Sequence, residues 1–271
     1  MAWRAIRGLT VLEAVAFAVI GVPLFLAPDT AAGSFAWSVS PFVAMTIGAW
    51  CLGNAVLAAI TARRWSIRLV YTTGFYLGLF GVFETAVVVA FRDKLALTQP
   101  LGWAYVATLV LTVATGVLGM FAWVTHAPRI APFGRPVSRA QEAATVVFVV
   151  FVGSLAAYGF IGQAGGIGTT GEVFPEPLTL FSLRAFGAFY LALALGVLPL
   201  MREPSAEVAL HHGFASYGLI VLITAAALVN FEAFDLVARP GGWLYLGAYL
   251  VVGAVVGLVL IRSGPGRPPR Q

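Results

Sequence analysis

Apolar residues in this chain fall into eight long runs, each bounded by charge, Pro or Gly. The runs are Ala5–Leu26, Pro41–Thr61, Ile67–Phe91, Leu101–Val124, Ala140–Ile161, Leu178–Leu200, Val208–Phe231 and Gly242–Ile261. A helix of about 20 residues crosses roughly 30 Å of hydrocarbon, and every run is long enough. Strands of a membrane barrel would alternate polar and apolar residues over segments of about ten, and no run does so. The pattern predicts an all-α integral membrane protein with eight transmembrane helices. Arg4 and Arg7 ahead of an apolar stretch and small residues near Ala31–Ser34 are the marks of a secretory signal. That run is long for a signal core and contains Glu13, so it is read as the first span.

Composition strengthens this reading. Of 271 residues 60% are hydrophobic and 10% charged, against about 25% charged in an average soluble domain, and the mean hydropathy is +0.94. Sixteen Lys and Arg with eleven Asp and Glu cannot clothe a water-soluble globule of this size. A soluble enzyme, a disordered chain and a nucleic-acid binder are thereby excluded. The single cysteine, Cys51, lies inside an apolar run and rules out an internal disulfide or a multi-thiolate metal cluster.

The net charge of +5 reports topology. If successive helices alternate sides, one compartment receives Arg4, Arg7, Arg63, Arg64, Arg68, Arg129, Arg135, Arg139, Arg202, Arg262, Arg267 and Arg270, twelve of the sixteen basic residues. The other receives Arg92, Lys94, Arg184 and Arg239. Basic loops stay in the cytoplasm, so both termini are expected there, in the plasma membrane of a bacterium. Trp3, Trp65 and Trp123 then fall near the inner interface and Trp37, Trp103 and Trp243 near the outer one.

Shifting the chain against itself by 139 residues pairs Phe42 with Phe181, Gly48-Ala49 with Gly187-Ala188, Arg63 with Arg202, Gly74-Phe75 with Gly213-Phe214 and Thr85-Ala86 with Thr224-Ala225. A shift of 140 then pairs Pro100 with Pro240, Gly102-Trp103 with Gly242-Trp243 and Tyr105 with Tyr245. The expected organisation is two parallel four-helix repeats, residues 1–125 and 140–262, joined by a cytoplasmic linker, 126–139, and followed by a disordered cytoplasmic tail, 263–271. Four helices return the chain to its starting side, so the repeats share one orientation. Their interface is a natural place for a ligand cavity.

A helix, a Leu-Ala-Pro turn and a helix patterned as Leu183-Arg184-Ala185-Phe186-Gly187-Ala188-Phe189-Tyr190-Leu191 resembles the small four-helix DoxX-like membrane proteins, here fused in tandem. The resemblance covers each four-helix half. It implies a compact four-helix fold per half, and it carries over no catalytic residues, since that broad group shares no activity that maps onto these positions.

Ionisable groups inside a span cost about 2.5–3.5 kcal/mol near its centre, so function is sought there. Glu84 and Arg184 both lie about five residues outward of their span centres, ~7.5 Å at the helical rise. They are read either as a buried ion pair locking the repeats together or as an outward-facing pocket for an anionic or amphipathic ligand, rimmed by Asn230, Glu232 and Asp235. Glu13 and Asn54 sit at similar depth, as a protonated carboxyl hydrogen-bonded to the amide or as a proton-relay station. His211 and His212 point about 100° apart; Glu207 shares a face with His211, and His126 lies at the same membrane side. These histidines are read as interfacial residues, and neither a metal nor a cofactor is expected. The Gly-rich segment 162–177 lacks the ending of a phosphate loop and is read as a flexible outer loop, a lid or partner-binding element.

No nucleophile elbow, zinc-protease helix, dinucleotide fingerprint or Walker sequence occurs. The expected function is therefore non-enzymatic: binding of a lipid or other apolar small molecule, or service as an accessory subunit of a membrane complex. The alternatives are a small-solute or proton-coupled transporter working through the repeat interface, and a membrane enzyme acting on a lipid-soluble substrate. Membrane lipids, an apolar small molecule and a membrane-protein partner are the expected partners; nucleic acid is not.

Overall fold

The computed structural model describes residues 2–126, 137–201 and 205–263. Arg129, Arg135, Arg202, Arg267, Arg270 and almost all of the predicted tail lie outside the described residues.

The eight apolar runs form eight long helices: α1 (Ala2–Leu26), α2 (Pro41–Arg63), α3 (Ile67–Ala90), α4 (Pro100–His126), α5 (Arg139–Ile161), α6 (Leu180–Gly196), α7 (Ala206–Val229) and α8 (Gly241–Ser263). With the short turn Leu198–Met201 counted into α6, all eight are long and apolar enough to cross a membrane. No β-strand occurs among the described residues; one isolated bridge joins Gln163 to Gly168.

Backbone polar groups at helix ends need partners, most of all near hydrocarbon, and hydroxyl residues supply them. Ser40, Ser66, Thr179 and Ser205 accept from the third backbone N–H of α2, α3, α6 and α7. Ser138 does the same for α5, and Gln141 closes a reciprocal capping box. The sixth run breaks at Gly196-Val197 and resumes over Leu198–Met201. Pro199 explains the break, because it has no N–H and its ring clashes with the carbonyl four residues back.

Helix pairs follow an ordered scheme. α1 packs on α2, α3 on α4 and α1 on α4; α5 packs on α6, α7 on α8 and α5 on α8. Two further pairs, α3 with α6 and α2 with α7, join these groups. α2 and α6 are the most enclosed helices. Their meeting is aromatic: Trp50 stacks on Phe189 at 4.1 Å and meets Phe186 edge-on, and Trp37, in the segment before α2, stacks on Phe181 at 4.4 Å.

Glycine sets how closely partners approach. A Cβ on Gly48 would lie 2.6 Å from the Phe25 nitrogen of α1, and one on Gly159 would lie 2.5 Å from Gly187 Cα, so α1/α2 and α5/α6 meet backbone on backbone. A Cβ on Gly116 would lie 2.6 Å from Gly78 Cα, which joins α3 to α4 equally tightly. The corresponding approach of α7 to α8 is looser. There a Cβ on Gly213 would meet only the Leu260 side chain, at 3.3 Å.

The segment between α5 and α6, expected to be a flexible loop, is anchored. Gly165, Gly168 and Gly171 take positive φ values of 69°, 93° and 89°, which a side chain resists. The fold they permit carries Phe174 to complete burial against Tyr158, Phe186 and Tyr245. Burial works to raise the Glu172 carboxyl, but hydrogen bonds from the Thr170 hydroxyl, the Gly168 N–H and the Tyr158 hydroxyl bring it below the usual range. Burial of Glu176 raises its carboxyl and outweighs the Ser40 hydroxyl bonded to it and the nearby Arg239 charge. The segment plugs the end of the second helix group farthest from the basic residues Arg139 and Arg262.

Candidate ligand-binding site

The loose end of α7 and α8 opens a cavity of about 640 Å³ among α5, α6, α7 and α8. Its lining runs from Val137 and Gln141 at the start of α5 to Met201 at the end of the sixth span. The walls are mostly apolar, with Phe148, Val197, Leu200, Val256, Val259 and Leu260 among them. Gln141, Glu142, Thr145, His212 and Ser216 supply the polar lining. This volume lies within the range of small-molecule sites, about 300–1,000 Å³.

The cavity has a sequence origin. Gly74, Gly78, Gly116 and Gly119 let α3 and α4 close on each other. Their counterparts under the shifts of 139 and 140 are Gly213, Tyr217, Val256 and Val259. Three of these four positions hold bulky residues, and α7 and α8 meet less closely than α3 and α4. Gly213, Val256 and Val259 all line the resulting space. Comparison of glycine positions between the halves carried this signal; a search for intramembrane charge did not.

His212, expected at the membrane edge, is buried, and its Nε2 lies 2.9 Å from Thr72 Oγ1 of α3. It lines the large cavity and also a second one of about 40 Å³, together with Phe148, Val197, Leu200 and Ser216. The smaller chamber reaches Asn54 and Tyr76, half-way along α2 and α3. There Tyr76 donates to Asn54 Oδ1 at 2.7 Å. Asn54 Nδ2 is buried with no hydrogen-bond partner. Among the described residues no group of His, Cys, Asp and Glu is arranged to hold a metal ion; the side chain of His126 is outside the described residues.

The charged residues singled out by sequence lie elsewhere, and the expected pairs do not form. Glu84 Oε2 accepts from Tyr105 at 2.8 Å and its Oε1 is buried without a partner. Arg184 instead donates to the carbonyls of Gly159 at 2.6 Å and Gly162 at 2.8 Å. The reason is local: α5 ends at Ile161, its last carbonyls lack intrahelical donors, and the cation satisfies them where the helix dipole favours positive charge. Asn230 donates back to Ala226 at 2.9 Å and approaches Met45 Sδ, so its amide closes the end of α7. Asp235 accepts from Ala238 in the following turn, and Glu232 is exposed.

Glu13 and Asn54 are likewise apart in bonding. Both Glu13 oxygens are buried without partners, while Asn54 is bonded to Tyr76. The α1-facing ridge of α2 carries Gly48, Cys51 and Leu52. Gly53, beside Asn54, faces Leu219 of α7. The amide therefore turns toward the junction of α2, α3, α6 and α7.

No known protein-family model matches the sequence, and comparison with characterised proteins and with solved structures finds no match.

Proposed function

We propose that this chain is a tandem duplication of a four-helix membrane unit, both ends cytoplasmic, whose second unit binds an uncharged apolar or amphipathic molecule. The packing supports the duplication. Exchanging α1–α4 for α5–α8 maps α1/α2 onto α5/α6, α3/α4 onto α7/α8, α1/α4 onto α5/α8 and the crossing pair α3/α6 onto α7/α2. The backbone contacts of Gly48 with α1 and of Gly187 with α5 are equivalent in the same way. The DoxX-like resemblance of each half is in keeping with such a unit.

The observation that carries the binding function is the 640 Å³ cavity, present in one half where glycines close the other. Its lining includes Val137, Gln141 and Met201 toward the basic-residue end, and Phe174 is fully buried at the opposite end of the same helix group. A cavity with a packed aromatic plug at one end of its helix group favours holding a ligand over conducting one. The polar lining is sparse and dispersed, which weighs against chemistry on the bound molecule.

The test is native mass spectrometry of the full chain extracted from its membrane, beside Ala144→Phe, which fills the cavity with an aromatic ring. A co-purifying apolar molecule lost in the variant is expected. An apolar complement unchanged by the variant refutes the site. Flux through proteoliposomes that falls in Glu84→Gln would establish the transporter alternative instead.

A further inference from the structure

The small chamber holds an unmet hydrogen bond. Asn54 is 2% exposed, and the Tyr76 hydroxyl on Oδ1 leaves Nδ2 as the open end of the amide. That nitrogen has no acceptor. A buried donor left unsatisfied is costly, and a small apolar side chain would have avoided the cost. The other half has done so. Under the shift of 139 residues Asn54 corresponds to Leu193 and Tyr76 to Ala215, and all four residues line the chamber. The chamber therefore lies between equivalent positions of the two halves, with the amide and phenol facing Leu193 and Ala215.

Its size and surroundings restrict what completes it. A volume of about 40 Å³ admits one small group. His212 is its only ionisable lining residue apart from the Tyr76 phenol, and that ring is already bonded to Thr72. A carboxylate or phosphate would lie there without a counter-charge, so the acceptor is neutral. The wall of Phe148, Val197, Leu200, His212 and Ser216 is common to the chamber and the large cavity. The chamber therefore adjoins the large cavity across these side chains, close enough for one molecule to place a head group in the first and an apolar body in the second.

We propose that Asn54 Nδ2 donates to the carbonyl oxygen of an amphiphile whose apolar body fills the large cavity. Tyr76 orients the amide and does not touch the ligand. His212, held by Thr72, forms the collar through which the head passes. This assignment rests on the ligand-binding reading of the large cavity. The carbonyl has two sources, a free ketone or the ester of an acyl lipid.

The experiment uses the full chain in nanodiscs of dialkyl ether phospholipid, which contain no ester carbonyl. Binding of a long-chain methyl ketone, of a fatty-acid methyl ester matched in length and of the matched alkane is measured for the wild type, Asn54→Leu and Tyr76→Phe. One hydrogen bond predicts that a carbonyl probe binds roughly tenfold tighter than the alkane. The preferred carbonyl probe identifies the source. Asn54→Leu should erase that preference and leave alkane binding intact. Tyr76→Phe, which keeps the ring and loses only the hydroxyl, should reduce the preference and stands in if Asn54→Leu does not fold. Equal binding of all three probes to the wild type would overturn the assignment, leaving Asn54 facing a structural water while the cavity remains an apolar site. Binding of no probe would overturn both the assignment and the reading beneath it.

Discussion

Replacing Arg184 by Met removes two charge-assisted hydrogen bonds, to Gly159 O and Gly162 O, from the end of α5. Such bonds contribute about 1.5–3 kcal/mol each in water-based proteins, but polar contacts between membrane helices average nearer 0.6 kcal/mol. The side chain is also only partly buried. A loss of about 1–3 kcal/mol is therefore expected. Glu84→Gln keeps a carbonyl-type acceptor for the Tyr105 hydroxyl, and its cost should stay under about 1 kcal/mol. Because the two side chains bond to different partners, their effects should add to within about 0.5 kcal/mol. The assay is reversible unfolding of detergent-solubilised protein by a denaturing detergent, for the wild type, both single variants and the double variant. A coupling energy above about 1 kcal/mol would show that the two charges interact, and would refute the helix-end role assigned to Arg184.

Further outcomes follow from packing and charge. Gly116→Val places a branched side chain against Gly78 Cα. It should cost about 1–3 kcal/mol or more, whereas Gly218→Ala, with nothing nearby, should not destabilise; thermal melts compare them. Phe174→Ala removes a fully buried ring and should cost about 3–5 kcal/mol, with faster proteolysis of segment 162–177 as a second readout. Cys51, 2% exposed, should resist maleimide in the folded protein and react on unfolding.

Glu176 gives the pH dependence a sign. Its folded-state pKa is raised, so its contribution to stability is full below the ordinary carboxylate value, about 4.3, and is lost as pH rises through the folded value. Acidification from neutrality should therefore raise Tm within that window, and Glu176→Gln should abolish the gain. Glu172, whose pKa is lowered, acts with the opposite sign and below the ordinary value, so the two effects separate along the pH axis. A wild-type Tm that falls steadily from neutrality to pH ~4.3 would contradict the Glu176 assignment.

The eight runs were legible in the sequence because a membrane helix satisfies its own backbone and needs only length and apolarity. Helix ends agreed closely, since Ser40, Ser66 and Thr179 mark them locally. The break in the sixth helix follows from Pro199. The polar positions Glu13, Asn54, Glu84 and Arg184 within the spans could also be found, because each departs from its apolar surroundings. Their partners could not. Depth along the membrane fixes one coordinate, and rotation about the helix axis fixes whether two side chains at one depth meet. Glu84 met Tyr105 of α4 and Asn54 met Tyr76 of α3, contacts set by the rotation and spacing of neighbouring helices.

The cavity is the strongest case. Under the shifts of 139 and 140, Gly78, Gly116 and Gly119 align with Tyr217, Val256 and Val259, yet these differences read equally as a better-filled core. Only the packed helices decided that the larger residues hold α7 away from α8 and leave a space beneath. By itself the sequence determined that the chain is a set of eight membrane-length helices, through hydrophobicity summed along each run. The tertiary structure decided which faces meet, where the polar groups find partners and where a void remains. Those outcomes depend on the distance and rotation between helices, which no single segment encodes.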